Sequence, residues 1–121
     1  MTTIEGYISI MKRIHGSILL YIEDDQHSAK NLSNLIKLFD KLNIRDNLHD
    51  VKSTLHIVLK ISNNHHRGPN FFSKIEAILK YFKDQIKNYF SNSEIFNIFK
   101  SNKRLLLFLI TEKIMTIDQY I

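Results

Sequence analysis

"FFSKIEAILKYFKDQIKNYF", residues 71–90, decides the fold class. Within it Phe72, Ile75, Ile78, Leu79, Phe82, Ile86 and Tyr89 recur at three- and four-residue spacing. A helix gathers such positions on one side, whereas a strand would divide them between its two faces. The spacing predicts one helix, capped by Asn70, with Ile75, Leu79, Phe82 and Ile86 in the core. On the opposite face Lys80, Lys83 and Lys87 alternate with Glu76 and Asp84. Because both acids stand four residues from Lys80, this reads as a self-compensated solvated face rather than a phosphate-binding ridge.

Immediately upstream, "SNNHHRGP", residues 62–69, holds one of three glycines and the only proline. Asn, Gly and Pro form turns, and the residue before proline is driven away from α geometry, so a joint between a third and a fourth helix is expected here. His65 and His66 are adjacent, whereas chelation from a helix face needs i,i+4 spacing. No metal is assigned to them. His65, His66 and Arg67 are read instead as a loop available for contact with a partner.

The same periodicity extends outward in both directions. Ile4, Tyr7, Ile8, Met11, Ile14, Ile18, Tyr21 and Ile22 lay one stripe along a first helix, weakened by Gly6 and Gly16. Ser28 can cap a second helix carrying Leu32, Leu35, Ile36, Phe39 and Leu42. Asn43 with Asp46 resembles the capping arrangement of a third, whose stripe is Ile44, Leu48, Val51, Leu55, Val58 and Leu59 and which runs out at "SNN", residues 62–64. Downstream, Ser91 and Glu94 form a Ser-x-x-Glu capping box for a short helix through Ile95, Ile98 and Phe99. Ser101 or Asn102 then caps a last helix over 103–114.

No alternating strand pattern of any length intervenes, so the expected class is all-α. The short connections suit five to seven antiparallel helices in hairpin pairs, forming a bundle or a short solenoid-like array. One domain over 1–121 is expected, with a division into sub-bundles 1–62 and 70–121 left open. Nine of the thirteen aromatics lie between Phe71 and Phe108, which places the denser core in the second half.

Composition narrows the function classes. With 121 residues, 44% hydrophobic and 24% charged, the chain can bury a sizeable core and lies far from the signature of disorder. It has no cysteine, which removes disulfides, thiolate catalysis and cysteine-bound zinc, and suits a reducing compartment such as the cytoplasm. No secretory pattern opens the sequence. The longest apolar run, Leu105 to Ile110, is far short of the ~20 residues a membrane span needs. The net charge is +5; residues 1–60 carry 8 Lys and Arg against 7 Asp and Glu, and residues 61–121 carry 9 against 5. Such an excess favours non-specific attraction to anions without defining a site.

Reaction chemistry finds no foothold. There is no Gly-x-Ser-x-Gly, and glycines only at 6, 16 and 68 write no phosphate-cradling loop. Asp46, His49 and Asp50 form the only i,i+3,i+4 set of ligand-type residues and lack a fourth ligand, while His49 and His56 stand two turns apart, ~10 Å by helical rise. Glu23, Asp24 and Asp25 read as a solvated connection. The expectation is a protein that is not an enzyme and takes no cofactor or metal.

The stretch "ISNNHHRGPNFFSKIEAILKYFKDQIKNYFSNSEIFNIFKSNKRLLLFLITEKIMTID", residues 61–118, resembles the helical region that precedes the repeats in a group of ankyrin-repeat proteins from a parasitic protist. "SNNHHR", "NFF", "FSNSEIFNIFKSNKR" and "LFLI" follow one another in that order, and the likeness covers most of 45–121. "STLH", Ser53 to His56, is similar to the repeat's Thr-Pro-Leu-His, although Thr54 stands where proline belongs, and in "LITEKIMTID" Lys113 stands where the turn glycine belongs. The interval between these fragments exceeds the ~33-residue ankyrin period, so no regular array is expected. The resemblance implies a helical leader region that presents a surface to a protein partner or caps a repeat stack. A basic nucleic-acid-binding domain is the alternative reading, and the lesser one.

Overall fold

The computed structural model describes residues 3–64 and 68–116. Among them are seven α-helices: α1 (Ile4–Glu23), α2 (Ser28–Lys41), α3 (Leu48–Asn64), α4 (Phe71–Tyr81), α5 (Lys83–Tyr89), α6 (Asn92–Phe99) and α7 (Lys103–Thr111). Two 3-10 turns, Asp25–His27 and Ile44–Asp46, link the first three, and no strand occurs among the described residues. The class is all-α, as the periodicity predicts. No helix among the described residues is long and apolar enough to cross a membrane.

Where a cap is local and unambiguous, expectation and structure agree. The Ser91 hydroxyl accepts from the Glu94 N–H at 3.1 Å, and Glu94 Oε1 accepts from the Ser91 N–H at 3.0 Å, closing the capping box of α6. Asn102 caps α7, its Oδ1 accepting from the Leu105 N–H at 3.1 Å. α1 is continuous through Gly6 and Gly16 and starts on Thr3, whose hydroxyl accepts from the Gly6 N–H.

Other boundaries move, each for a visible reason. Ser28 is the first residue of α2 rather than its cap; its hydroxyl donates back to the Asp25 carbonyl, while Asp24 caps the preceding turn by accepting from the Gln26 N–H. Asn43 does not start the third helix but ends the second, sitting in the left-handed region at φ 54 with its N–H on the Asp40 carbonyl. The cap of α3 is Asn47, whose Oδ1 accepts from the N–H groups of His49 and Asp50 at 2.9 and 3.2 Å. Ile44 is therefore buried from a turn, and Leu48 is exposed instead of joining the stripe. The end of α3 stays where it is expected, within Ser62–Asn64: the helix closes at Asn64, with Ser62 buried and bonded to Asn102 at 3.0 Å.

The helix expected over 71–90 breaks at Phe82 into α4 and α5. Adjacent residues on an unbroken helix point about 100° apart. Here the rings of Tyr81 and Phe82 both meet Phe39 of α2, at 5.3 and 5.1 Å, which the break permits. Asn70 precedes α4 without a side-chain capping bond. Phe71 is the buried member of the phenylalanine pair and Phe72 the half-buried one, the reverse of the expected stripe, and Tyr89 is exposed.

The core expectation for this segment holds: Ile75, Leu79, Phe82 and Ile86 are wholly buried. They belong to one cluster of buried side chains running from Ile14 to Met115, in which Ile18, Phe39, Val51 and Leu55 are as enclosed as Phe99 and Leu109. Of the aromatics from Phe71 to Phe108, Phe71, Phe82, Phe90 and Phe99 are buried, while Phe72, Tyr81, Phe96 and Phe108 are only partly covered. α1 packs against α2, α3 and α4, but one side of its first two turns is uncovered, with Ile4 81% and Ile8 48% exposed.

α7 stops at Thr111, short of the expected 114, where Lys113 adopts φ 60. The Lys113 N–H bonds to the Ile110 carbonyl at 3.0 Å and the Ile114 N–H to that of Leu109 at 2.8 Å, the paired bonds of a Schellman ending, and Leu109 and Ile114 are both buried. A left-handed residue with a Cβ costs roughly 1–2 kcal/mol that glycine escapes. Lys113→Gly is expected to raise stability by about 1 kcal/mol, read as a higher thermal midpoint. A lower midpoint would mean that the lysine side chain outweighs its backbone strain.

Candidate functional site

α1 and α3 lie side by side, and Tyr7 fixes the seam at one end. Its hydroxyl shares a 2.6 Å hydrogen bond with Ser53, and its ring stacks on His49 with centroids 5.4 Å apart. Met11, one turn on, joins Tyr7 as the partition between two clefts. One cleft, about 320 Å³, is walled by Ile10, Met11, Leu42 and Ile44 and closed by Asn47, His49 and Asp50. Burial pushes the Asp50 carboxyl above the ordinary aspartate value, against a smaller opposing effect of His49.

The other cleft, about 270 Å³, is a groove lined by Tyr7, Ile8, Met11, Lys12, His15 and Ile57, its floor almost entirely apolar. Lys12 and His15 supply its charged or titratable side on α1, while on α3 the exposed His56 and Lys60 flank Ile57. Ile8 stands half in water above it, and Ile4 continues the apolar row one turn earlier.

The residues singled out from sequence fall differently. His65, His66 and Arg67 lie outside the described residues. Asp46 is in a turn before α3 begins and the His49 ring is held against Tyr7, so the i,i+3,i+4 helical set is not assembled. Among the described residues no group of three or more His, Asp or Glu is placed to hold a metal. Lys80 pairs with Glu112 at 3.4 Å across to the end of α7, in place of the expected Glu76 and Asp84. Ser53 to His56 occupy the middle of α3, where the buried Thr54 donates to the Asp50 carbonyl at 2.8 Å and His56 is exposed.

Two polar centres escaped the sequence reading. Lys74 is buried; its Nζ donates to the Ile22 carbonyl at 3.1 Å and to Asp25 Oδ1 at 2.5 Å, so the supposedly solvated acidic connection holds a structural ion pair. The available signal was position: Lys74 lies three residues after Phe71 and four before Ile78, both buried. The second centre gathers around Asp40. The Tyr81 hydroxyl donates to Asp40 Oδ1, Arg45 reaches the same oxygen at 3.3 Å and lies 4.4 Å over the Tyr81 ring, and the Tyr89 hydroxyl donates to the Arg45 carbonyl at 3.0 Å. The two tyrosine bonds span 41 and 44 residues of sequence, beyond the reach of local patterns.

Burial, and then the bond to Asp40, push the Tyr81 phenol well above the ordinary tyrosine range. The folded chain thus favours the neutral phenol. That contribution is fully present below pH ~10, where the unfolded tyrosine begins to ionise, and is lost as pH rises through the raised folded value. Tyr81→Phe is expected to remove one late step from a phenolate absorbance titration and to flatten the alkaline loss of stability. Loss of an ordinary step near pH ~10 instead of a late one would show that Tyr81 ionises normally.

No protein-family model matches the chain, and neither a curated protein nor a solved structure matches it.

Proposed function

We propose that this chain is a non-enzymatic helical interaction module that receives another protein along the α1–α3 groove. One observation carries the reading: the apolar row of α1 continues past the core into water at Ile8 and Ile4, beside a groove with an apolar floor. Contiguous exposed apolar surface with a polar rim is the usual mark of an interaction site. The resemblance to the leader region of ankyrin-repeat proteins supports the same role, as a surface set beside a repeat stack. The absence of cysteine suits work in the cytoplasm. A nucleic-acid role ranks lower, since Lys80 on the basic ridge is already paired with Glu112.

A photo-crosslinking residue placed at position 8, compared with one at the exposed Lys37 of α2, tests the reading in the cells that make the protein. Discrete protein adducts from position 8 and none from 37 are expected. Adducts to nucleic acid, or sub-micromolar nucleic-acid binding with a steep salt slope that charge reversal at Lys80, Lys83 and Lys87 abolishes, would favour the alternative. Equal adducts from both positions would overturn the groove.

A further inference from the structure

Resting on that reading, we infer that the groove's occupant is an acidic amphipathic helix: apolar anchors seat against Ile8, Met11 and Ile57, and flanking Asp or Glu meet Lys12, His15, His56 and Lys60. The shape fits such a ligand. From Tyr7 to His15 the α1 wall of the groove extends just over two turns, about 12 Å by helical rise, close to the ~10.5 Å spanned by anchors at i, i+4 and i+7 of an opposing helix. The groove lining holds no carboxylate; Lys12 and His15 are its basic members. The α3 positions that flank Ile57 one residue before and three after it are likewise His56 and Lys60. Complementary charge around an apolar seat selects the partner and speeds encounter, whereas a basic helix would meet like charge.

The same rim argues against a second copy of this chain as the occupant. Face-to-face pairing would bring Lys12 and Lys60 against their own counterparts. Every other helix except the short α6 is neutral or basic, and Ile95 and Phe99 of α6 are committed to the core.

Fluorescence anisotropy on the full chain with two synthetic helical peptides tests the inference. Both carry leucine at i, i+4 and i+7; one has glutamate and the other lysine at every flanking position. The glutamate peptide is expected to bind at least about tenfold more tightly at low salt, with the gap narrowing as salt screens the rim. Ile8→Asp should weaken it by about tenfold or more while leaving the thermal midpoint unchanged, since Ile8 is half exposed. Lys12→Glu combined with Lys60→Glu should invert the preference. Equal binding of the two peptides, or binding of neither, overturns the inference. So does self-association in sedimentation that Ile8→Asp abolishes, which would assign the groove to a second copy. Protein adducts at position 8 without peptide discrimination would sink the acidic helix and leave the interaction module standing; the failure of both experiments would sink both.

Discussion

Phe82→Ala is expected to cost the fold about 3 to 5 kcal/mol, seen as a large fall in the urea midpoint with little change in slope. Phe82 is wholly buried at the junction of α4 and α5 and meets Phe39 edge-to-face, with centroids 5.1 Å apart. Truncation removes that contact together with the ring's own burial, and the surrounding helices cannot close fully on the space left behind. The position also joins α4 to α5. Tyr81 is 5.0 Å away in a second edge-to-face contact, so losing the Phe82 ring also loosens the ring that reaches Asp40. Phe72→Ala is the informative comparison, because Phe72 is only half-buried and carries the Arg104 guanidinium 4.0 Å from its ring centre. A smaller loss is expected there. A Phe82 variant as stable as the parent would mean that the stripe is a surface.

The all-α class was legible because hydrophobic period is a property of the sequence itself, and the stripe Ile75, Leu79, Phe82, Ile86 lies where that period puts it. The caps at Ser91 and Asn102 were legible because a cap is settled within three residues. Asn43 and Asn47 were not separable by the same means. Both are asparagines at the edge of an apolar stripe, and asparagine serves equally as a helix start and as a left-handed helix end. The break at Phe82 left no trace, since the stripe continues through it and the ring that Tyr81 and Phe82 share, Phe39, lies more than 40 residues earlier. The groove was hidden for a related reason. Periodicity puts Ile4, Ile8, Ile14 and Ile18 on one side of α1, but it cannot tell which turns a neighbour covers. In the folded chain Ile14 and Ile18 are buried, while Ile4 and Ile8 are left in water.

Asp25→Ala is expected to destabilise by about 3 kcal/mol, far more than an exposed carboxylate ordinarily commands. The reason lies in its partner. The Asp25 side chain is 56% exposed, whereas that of Lys74 is 5% exposed, so the pair is asymmetric: the acid stands in water and the ammonium does not. Removing the acid leaves a buried cation held by the Ile22 carbonyl, with the Tyr21 ring 5.7 Å away. Removing the cation instead, by Lys74→Met, keeps the aliphatic stem packed and strands only the Ile22 carbonyl in the last turn of α1, for about 1 to 2 kcal/mol. The order of effects is thus inverted relative to burial, with the exposed partner the costlier to lose. A double-mutant cycle makes this decisive, because in the Lys74→Met background no buried charge remains to be stranded. Asp25→Ala should then cost less than about 0.5 kcal/mol, a coupling well outside the additivity expected of independent sites. If Asp25→Ala costs the same in both backgrounds, its effect arises in the turn after α1, and Lys74 is held in the core by its stem alone.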